Sequence, residues 1–288
     1  MMAATESLPF VYSFSGGMPP ETLEVFWVGP EGIGEYVTSN SWPYQPPFDE
    51  VGHYRVQLTK SEREELARLS DAAGRARAET PEVLESADAG VESFRTVKMG
   101  SVVEARWSPT RTPSGYLPLA GSVRRLITRT RHFPVSTLWG RWDEASTPTE
   151  QLVLKFTNRG TEPFRLYDFE RADEDSRIQV RARYAPARPG GEASSPNPLA
   201  LLRPEPLKVR NPQDWNPSAD GDIILEPGRT LQLEIPRTAP ASPQVASQAA
   251  TLQGLIRLNF WRPGAEGENL LEQGWLIPEP LTLFRNKS

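Results

Sequence analysis

The loop DWNPSADGD, residues 214–222, is rich in oxygen-bearing side chains. Its carboxylate, amide and hydroxyl residues alternate along the chain: Asp214, Asn216, Ser218, Asp220 and Asp222. Calcium takes several oxygen ligands, and a compact loop can supply many of them. The EF-hand frame fails here, because no glutamate closes the loop and Pro217 interrupts it. Two interpretations follow, a calcium site and a turn held by Asx hydrogen bonds.

A second group of candidate residues is a run of arginines on a predicted helix. Arg124, Arg125 and Arg129 lie within two helical turns, and Arg131 and His132 follow them. Guanidinium groups placed in this way bind phosphate or an acidic partner through charge-assisted hydrogen bonds. The same pattern is also typical of the solvent face of an amphipathic helix.

Aromatic residues in two proline-bearing loops form the third group. Trp42 and Tyr44 lie in SNSWPYQPPFDE, and Trp215 lies in the oxygen-rich loop. No hydrophobic periodicity requires these side chains to be buried. They are candidate contacts for a sugar or a protein partner, because exposed aromatic rings serve both roles. The alternative is that each ring packs within the fold.

The sequence lacks the short motifs of common enzymes. Cysteine is absent, which excludes disulfides, thiolate metal sites and cysteine nucleophiles. The two histidines, His53 and His132, are predicted to lie in a strand and in a turn with structural roles. No G-x-S-x-G, GK[ST] or H-E-x-x-H motif occurs. A triad or a carboxylate pair built from distant residues would not be visible in the sequence.

Gly16-Gly17 raises the question of a phosphate-binding loop. Such a loop leads into a helix with a lysine, serine or threonine at its start. Here Met18-Pro19-Pro20 leads into the strand-like run LEVFWV. The glycines therefore predict a bend between two strands.

Charge and hydropathy limit the expected partners. The formal net charge is -5 with acids and bases interspersed, so nucleic acid is not an expected partner. No apolar run approaches the ~20 residues of a spanning helix, and MMAATESLPFVYSF lacks the basic head and the apolar run expected of a signal peptide. As written, the chain is expected in the cytoplasm, or outside it if a leader was removed. No cofactor is predicted apart from the calcium alternative.

The first half of the chain predicts an α+β domain over residues 8–142. Strand-like runs, rich in aromatic and β-branched residues, alternate with two helical patterns. Thr59 and Glu62 have the spacing of a capping box, which predicts a helix start. Met99-Gly100 separates two alternating runs and predicts a hairpin. Residues 116–130 show the apolar face of a second helix.

The second half predicts a β-sandwich over residues 151–285. Residues 143–150, DEASTPTE, predict a linker between the two domains. Beyond it about seven short strands alternate with turn residues, a pattern typical of sandwiches. Residues 185–221 form a long proline-rich loop, which is either functional or disordered. The predicted fold class is mainly β, with an α+β domain before the sandwich.

Two resemblances to known families accompany this pattern. LKFTNRGTEPFRLYDF and the later IILEPGRTLQLEI resemble the immunoglobulin-like sandwiches of bacterial cell-surface and periplasmic proteins. This resemblance implies a fold and an extracytoplasmic location, but no activity. The strand before Ser15-Gly16-Gly17, the run LTKSEREELARL and the following hairpin are similar to emfourin-type inhibitors of bacterial metalloproteases. That resemblance implies a protease inhibitor.

These observations together favour a binding or assembly protein without enzymatic activity. Another protein is the favoured partner, and carbohydrate is the second choice. The alternatives are a carbohydrate-active enzyme or sugar-binding module, and a protease inhibitor.

Overall fold

The structure is a computed structural model of the 288-residue chain. It describes residues 10–16, 22–29, 31–41, 49–76, 90–98, 101–143, 152–167, 179–186, 208–209, 216–217, 222–235, 250–265, 267–278 and 281–283. Over these ranges the chain is mostly β, with two α-helices and large antiparallel sheets. The predicted class, mainly β with an α+β part, is confirmed.

The chain divides into two compact units. The first unit contains Met1–Asn40, Gly52–Val135 and Arg262–Leu270. The second contains Ser41–Val51, Ser136–Trp261 and Leu271–Ser288. Residues 144–150, most of the predicted linker, lie outside the described residues.

An antiparallel sheet and two helices form the first unit. Its strands are β1 Phe10–Gly16, β2 Thr22–Val28, β3 Ile33–Thr38, β4 Glu50–Gln57, β5 Val91–Lys98 and β6 Ser101–Trp107. The order across the sheet is β4-β3-β2-β1-β5-β6. The helices are α1 Lys60–Ala76 and α2 Leu117–Thr130. Glu50 and Val51, the first residues of β4, belong to the second unit.

The period-two alternation of the strands places one row of large side chains against the helices. Phe26, Tyr36, Tyr54 and Phe94 are fully or almost fully buried in a cluster with Leu66 of α1 and other helix residues. The predicted capping box starts α1, since Thr59 N–H donates to Glu62 Oε2 at 2.7 Å and Glu62 N–H donates to Thr59 Oγ1 at 3.2 Å. Burial of this apolar face is the main stabilising contribution of such helices.

The predicted bend at Gly16 is confirmed. β1 ends at Gly16 and pairs with β2 in antiparallel register, Gly16 opposite Thr22. Gly16 has a φ of 105°, a conformation that favours glycine. A Cβ at this position would lie 2.9 Å from the Cα of Gly90. The glycine thus ends β1 and permits a close backbone approach to Gly90.

The second unit contains two antiparallel sheets. Its strands are β7 Pro134–Trp142, β8 Leu152–Asn158, β9 Phe164–Leu166, β10 Gln179–Pro186, β11 Lys208–Val209, β12 Asn216–Pro217, β13 Ile223–Leu225, β14 Thr230–Ile235, β15 Ala250–Pro263, β16 Asn269–Leu276 and β17 Leu281–Leu283. The first two residues of β7 and of β16 and the last two of β15 belong to the first unit. One sheet has the order β7-β8-β14-β11. The other has the order β10-β15-β9-β13-β12, with β16 and β17 also paired to β15.

Both sheets of the second unit contribute to one apolar core. Leu138, Leu154 and Phe156 of the first sheet share a buried cluster with Phe164 and Phe260 of the other. This arrangement is compatible with the predicted β-sandwich. Among the described residues no helix is long and apolar enough to cross a membrane.

Candidate functional site

Most of the loop residues singled out in the sequence lie outside the described residues. These are Trp42, Tyr44, Asp214, Trp215, Ser218 and Asp220. Asn216 lies in β12, where it is paired with Ile224 of β13. The calcium site and the aromatic contacts therefore stay predictions.

Asp222, the last residue of the oxygen-rich loop, is buried in an ion pair. Its side chain is 4% exposed, and its Oδ2 accepts from Arg165 Nε at 2.6 Å and from Trp261 Nε1 at 2.8 Å. The Arg165 guanidinium also lies over the Trp261 ring, 5.3 Å from its centroid. Asp222 is thus part of a packed network, and Oδ2 already has two donors.

The three arginines of α2 are each paired with a different glutamate. Arg124 donates to Glu92, and Arg129 donates to Glu62 of the capping box. Arg125 donates to Glu65 at 3.1 Å. These ion pairs explain why arginines recur on this helix, since two of the glutamates lie on α1. Anion binding stays a prediction, and an anion would compete with these carboxylates.

A half-buried tryptophan on β7 marks a different candidate site, in the second unit. Trp139 pairs with Thr157 of β8, which pairs with Thr230 of β14. The next row along the strands contains Arg141, Lys155 and Gln232. Their neighbours Leu138 and Phe156 face the core, so this row of polar residues lies on the outer face of the sheet.

A tight turn after β8 positions Arg159 beside this tryptophan. The side-chain amide of Asn158 donates to the carbonyls of Glu162 and Leu225, both at 2.8 Å. Its Oδ1 accepts from the N–H of Gly160 at 2.8 Å. The backbone N–H of Arg159 donates to Thr137 O at 3.2 Å. The N-x-G turn seen in the sequence is thus anchored on both sides, and Arg159 projects from it.

The guanidinium of Arg159 lies between an acidic pair and the indole ring. Its Nη1 lies 3.1 Å from Glu50 Oε1 and 3.3 Å from Asp49 Oδ2. Its Cζ is 3.6 Å from the ring centroid of Trp139, which is direct stacking. A planar guanidinium suits both contacts, because it donates in its plane and stacks with its face.

Burial changes the protonation of Glu50. The side chain of Glu50 is only 10% exposed. Burial raises the pKa of Glu50 above its ordinary value of 4.5, and the Arg159 guanidinium offsets this only in part. The charge of Asp49 acts in the same direction as burial. Burial therefore favours the protonated form of Glu50.

Arg141 adds a second guanidinium to the same ring. It is exposed, and its Cζ lies 5.1 Å from the ring centroid of Trp139. Lys155, by contrast, is paired with Asp143 at 2.6 Å. We define the Trp139 face as Trp139, Arg141, Lys155, Thr157, Arg159, Thr230 and Gln232. It offers an aromatic ring and hydrogen-bond donors, which suit binding.

The first unit contains a buried histidine beside a half-buried glutamate. His53 lies in β4, as predicted, with Nε2 2.6 Å from Glu35 Oε2. Trp27 stacks parallel to the imidazole, with 6.1 Å between ring centroids. Burial acts to raise the pKa of Glu35, but His53 and Arg55 outweigh it and hold the pKa below its ordinary value of 4.5. The ionised carboxylate only accepts, so Nε2 is the donor.

Within the ranges that the structure describes, no group of three or more histidine, aspartate and glutamate residues could hold a metal ion. The polar clusters described above combine carboxylates with arginines and indole rings instead. Arrangements of this kind fix side chains in place and recognise partners.

The sequence signals for the Trp139 face are weak. Asp49 and Glu50 are separated from Arg159 by more than a hundred residues, so no local motif joins them. The N-x-G turn is visible in the sequence and predicts the position of Arg159 in a turn. The pairing of Trp139 with Thr157 depends on β7. This strand begins at Pro134 and contains Gly140, and both residues weaken the strand pattern in the sequence.

No protein-family model and no curated protein matches this chain.

Proposed function

We propose that the chain is a non-enzymatic binding protein that recognises another protein through the Trp139 face. The observation that supports this most is the half-buried indole of Trp139, stacked with Arg159 and flanked by the exposed Arg141. Tryptophan and arginine are the residue types that contribute most often to the binding free energy of protein interfaces.

The geometry favours binding because much of the surface is already ordered. Arg159 is fixed by Asp49, Glu50 and the turn at Asn158 before any partner arrives. Ordering a free arginine at an interface costs about 0.5–1.5 kcal/mol, and a preordered side chain avoids most of this cost. Thr157 and Thr230 are likewise linked, with 2.9 Å between their hydroxyl oxygens.

A protein partner is favoured over a sugar at this site. Sugars stack on an open ring face, and the guanidinium of Arg159 covers one face of Trp139 at 3.6 Å. Arg141 remains exposed and can donate in two directions to backbone carbonyls or a carboxylate of a partner. As part of the same proposal, we assign the sandwich of the second unit to the immunoglobulin-like class. Two antiparallel sheets around one core support that assignment.

Affinity capture with matched variants tests the proposal. The purified full chain is immobilised, and proteins retained from an extract of its source cells are compared with those retained by Trp139→Ala and Arg141→Glu. The control for Arg141→Glu is Arg68→Glu on α1, which makes the same change in net charge at another exposed position. We expect at least one partner to bind the wild type and the control, and to bind both variants at least tenfold more weakly.

Three results would contradict the proposal. A partner that binds Trp139→Ala as well as the wild type would place recognition elsewhere. Specific retention on a sugar array that is lost in Trp139→Ala would favour the carbohydrate alternative. A catalytic turnover that a single substitution removes would show that the chain is an enzyme. Circular dichroism and the melting temperature of each variant establish that it is folded.

A further inference from the structure

Strand β6 forms one end of the sheet in the first unit. Across the residues that the structure describes, it pairs only with β5, from Glu92 opposite Trp107 to Lys98 opposite Ser101. The backbone N–H and C=O groups on its other side point away from the sheet. A strand of seven residues with one open edge is a template for pairing with another strand.

The two faces of β6 differ in character. Ala105 and Trp107 are buried against the helices, and Val103 packs against the same cluster. On the opposite face lie Val102, which is 53% exposed, and the charged residues Glu104 and Arg106. Arg106 Nη2 lies 2.7 Å from Glu104 Oε1, so the two charges neutralise each other. This face therefore combines an exposed apolar side chain with one charge of each sign.

We propose that β6 pairs with β6 of a second copy of this chain, antiparallel and about a two-fold axis beside Ala105. Residues directly opposite each other must lie on the same face of a regular antiparallel pair, so the axis must pass beside one self-paired residue. With the axis at Ala105, each Glu104 lies opposite the partner's Arg106. Each charged side chain of one strand then lies opposite a side chain of opposite charge on the other strand.

Other registers are less favourable. An axis beside Glu104 would place the two glutamates directly opposite each other, and like charges in that position are destabilising. An axis beside Val103 would place Glu104 opposite the partner's Val102 and leave Arg106 beyond the paired segment. A register shifted by one residue would place residues of opposite faces directly across from each other, which a regular antiparallel pair does not allow. The charge pattern of β6 thus selects one register and one occupant, a second copy.

Charge reversal and charge exchange test this pairing in the full chain. Glu104→Arg and Arg106→Glu each place like charges opposite each other at both symmetric positions. Glu104→Arg/Arg106→Glu restores opposite charges in the dimer. The measurement is the molar mass by sedimentation equilibrium over a range of protein concentrations. We expect a concentration-dependent dimer for the wild type, a dissociation constant about tenfold or more higher for each single variant, and recovery in the double variant.

Glu64→Arg and Arg68→Glu are the matched controls, because both residues are exposed on α1. They change the net charge by the same amounts as Glu104→Arg and Arg106→Glu do. They should dimerise as the wild type does. A wild type that stays monomeric at all concentrations would overturn the proposal. Dimerisation that is unaffected by the single variants, or not recovered in the double variant, would overturn it as well.

A cross-linking experiment tests the register without relying on charge. The chain has no cysteine, so any disulfide formed must involve an introduced residue. An equimolar mixture of Glu104→Cys and Arg106→Cys should form a disulfide-linked dimer on mild oxidation, because these positions lie directly opposite in the proposed register. Each variant alone should cross-link much less. Equal cross-linking in the mixture and in each variant alone would overturn the register.

Discussion

The indole N–H of Trp261 donates to the carboxylate of Asp222, with 2.8 Å between Nε1 and Oδ2. The same arrangement recurs in the first unit, where Trp107 Nε1 donates to Glu92 Oε2 at 2.6 Å. In both cases the buried carboxylate also accepts from an arginine, Arg165 and Arg124 respectively. Each acid therefore fixes one indole and one guanidinium, and its negative charge is compensated within the fold.

Replacing Asp222 should destabilise the second unit. Asp222→Ala leaves the Trp261 N–H and the Arg165 guanidinium without their shared acceptor. We expect the free energy of unfolding to fall by about 2–3 kcal/mol, since Arg165 can turn toward water. Urea unfolding measures the change. Asp222→Asn keeps one acceptor oxygen and should cost less. Equal stability of wild type and Asp222→Ala would contradict this account.

Two glycines should respond to alanine in opposite directions. A Cβ at Gly140 of β7 would lie 2.1 Å from Leu276 Cδ2, and Leu276 is fully buried. Gly140→Ala should therefore lower the free energy of unfolding by about 1–3 kcal/mol. Gly121 lies inside α2 with nothing within 4 Å of its added Cβ. Gly121→Ala should raise the free energy of unfolding by about 0.5–1 kcal/mol. Urea unfolding measures both changes. If the two substitutions changed the free energy of unfolding in the same direction, the packing explanation would be wrong.

Local sequence patterns predict those helices and hairpins that depend on contacts between residues close together in the sequence. The capping box at Thr59 starts α1, and the pairing of Lys98 with Ser101 confirms a hairpin between β5 and β6, although Met99-Gly100 lie outside the described residues. Both depend on residues within a few positions of each other. Strand β3 is not predicted in this way. Gly34 interrupts its pattern, and a Cβ there would lie 3.1 Å from Leu58 Cδ2, which is closer than an ordinary van der Waals contact.

The candidate site depends on contacts that no local pattern encodes. Arg159 contacts Glu50, which lies 109 residues earlier in the sequence. Contacts between elements also change how predicted residues are interpreted. The arginines of α2, predicted as an anion site, form ion pairs with glutamates of α1 and β5. Asp222 shows the same limit. The loop pattern indicates an oxygen ligand, whereas the structure gives that oxygen two donors from β9 and β15.

Glu35 should stabilise the first unit at neutral pH and lose this effect in acid. Its pKa in the folded protein lies below the ordinary 4.5, so the stabilisation is present above 4.5 and lost as the pH falls through the lowered pKa. Urea unfolding of the wild type and Glu35→Gln between about pH 2.5 and 5.5 tests this. The difference in free energy of unfolding should shrink toward the acid end. A difference that grows there would contradict the assignment.

Glu50 should show the opposite dependence. Burial raises its pKa in the folded protein above 4.5, so folding favours the protonated form. The stability contributed by Glu50 should therefore fall as the pH rises from 4.5 through the raised pKa, and stay constant above it. We expect the free energy of unfolding of the wild type, relative to Glu50→Gln, to decrease over that interval. If the relative stability of the wild type rose with pH instead, the Glu50 carboxyl would be held in its ionised form by Arg159, and the acidic pair would be a simple salt bridge.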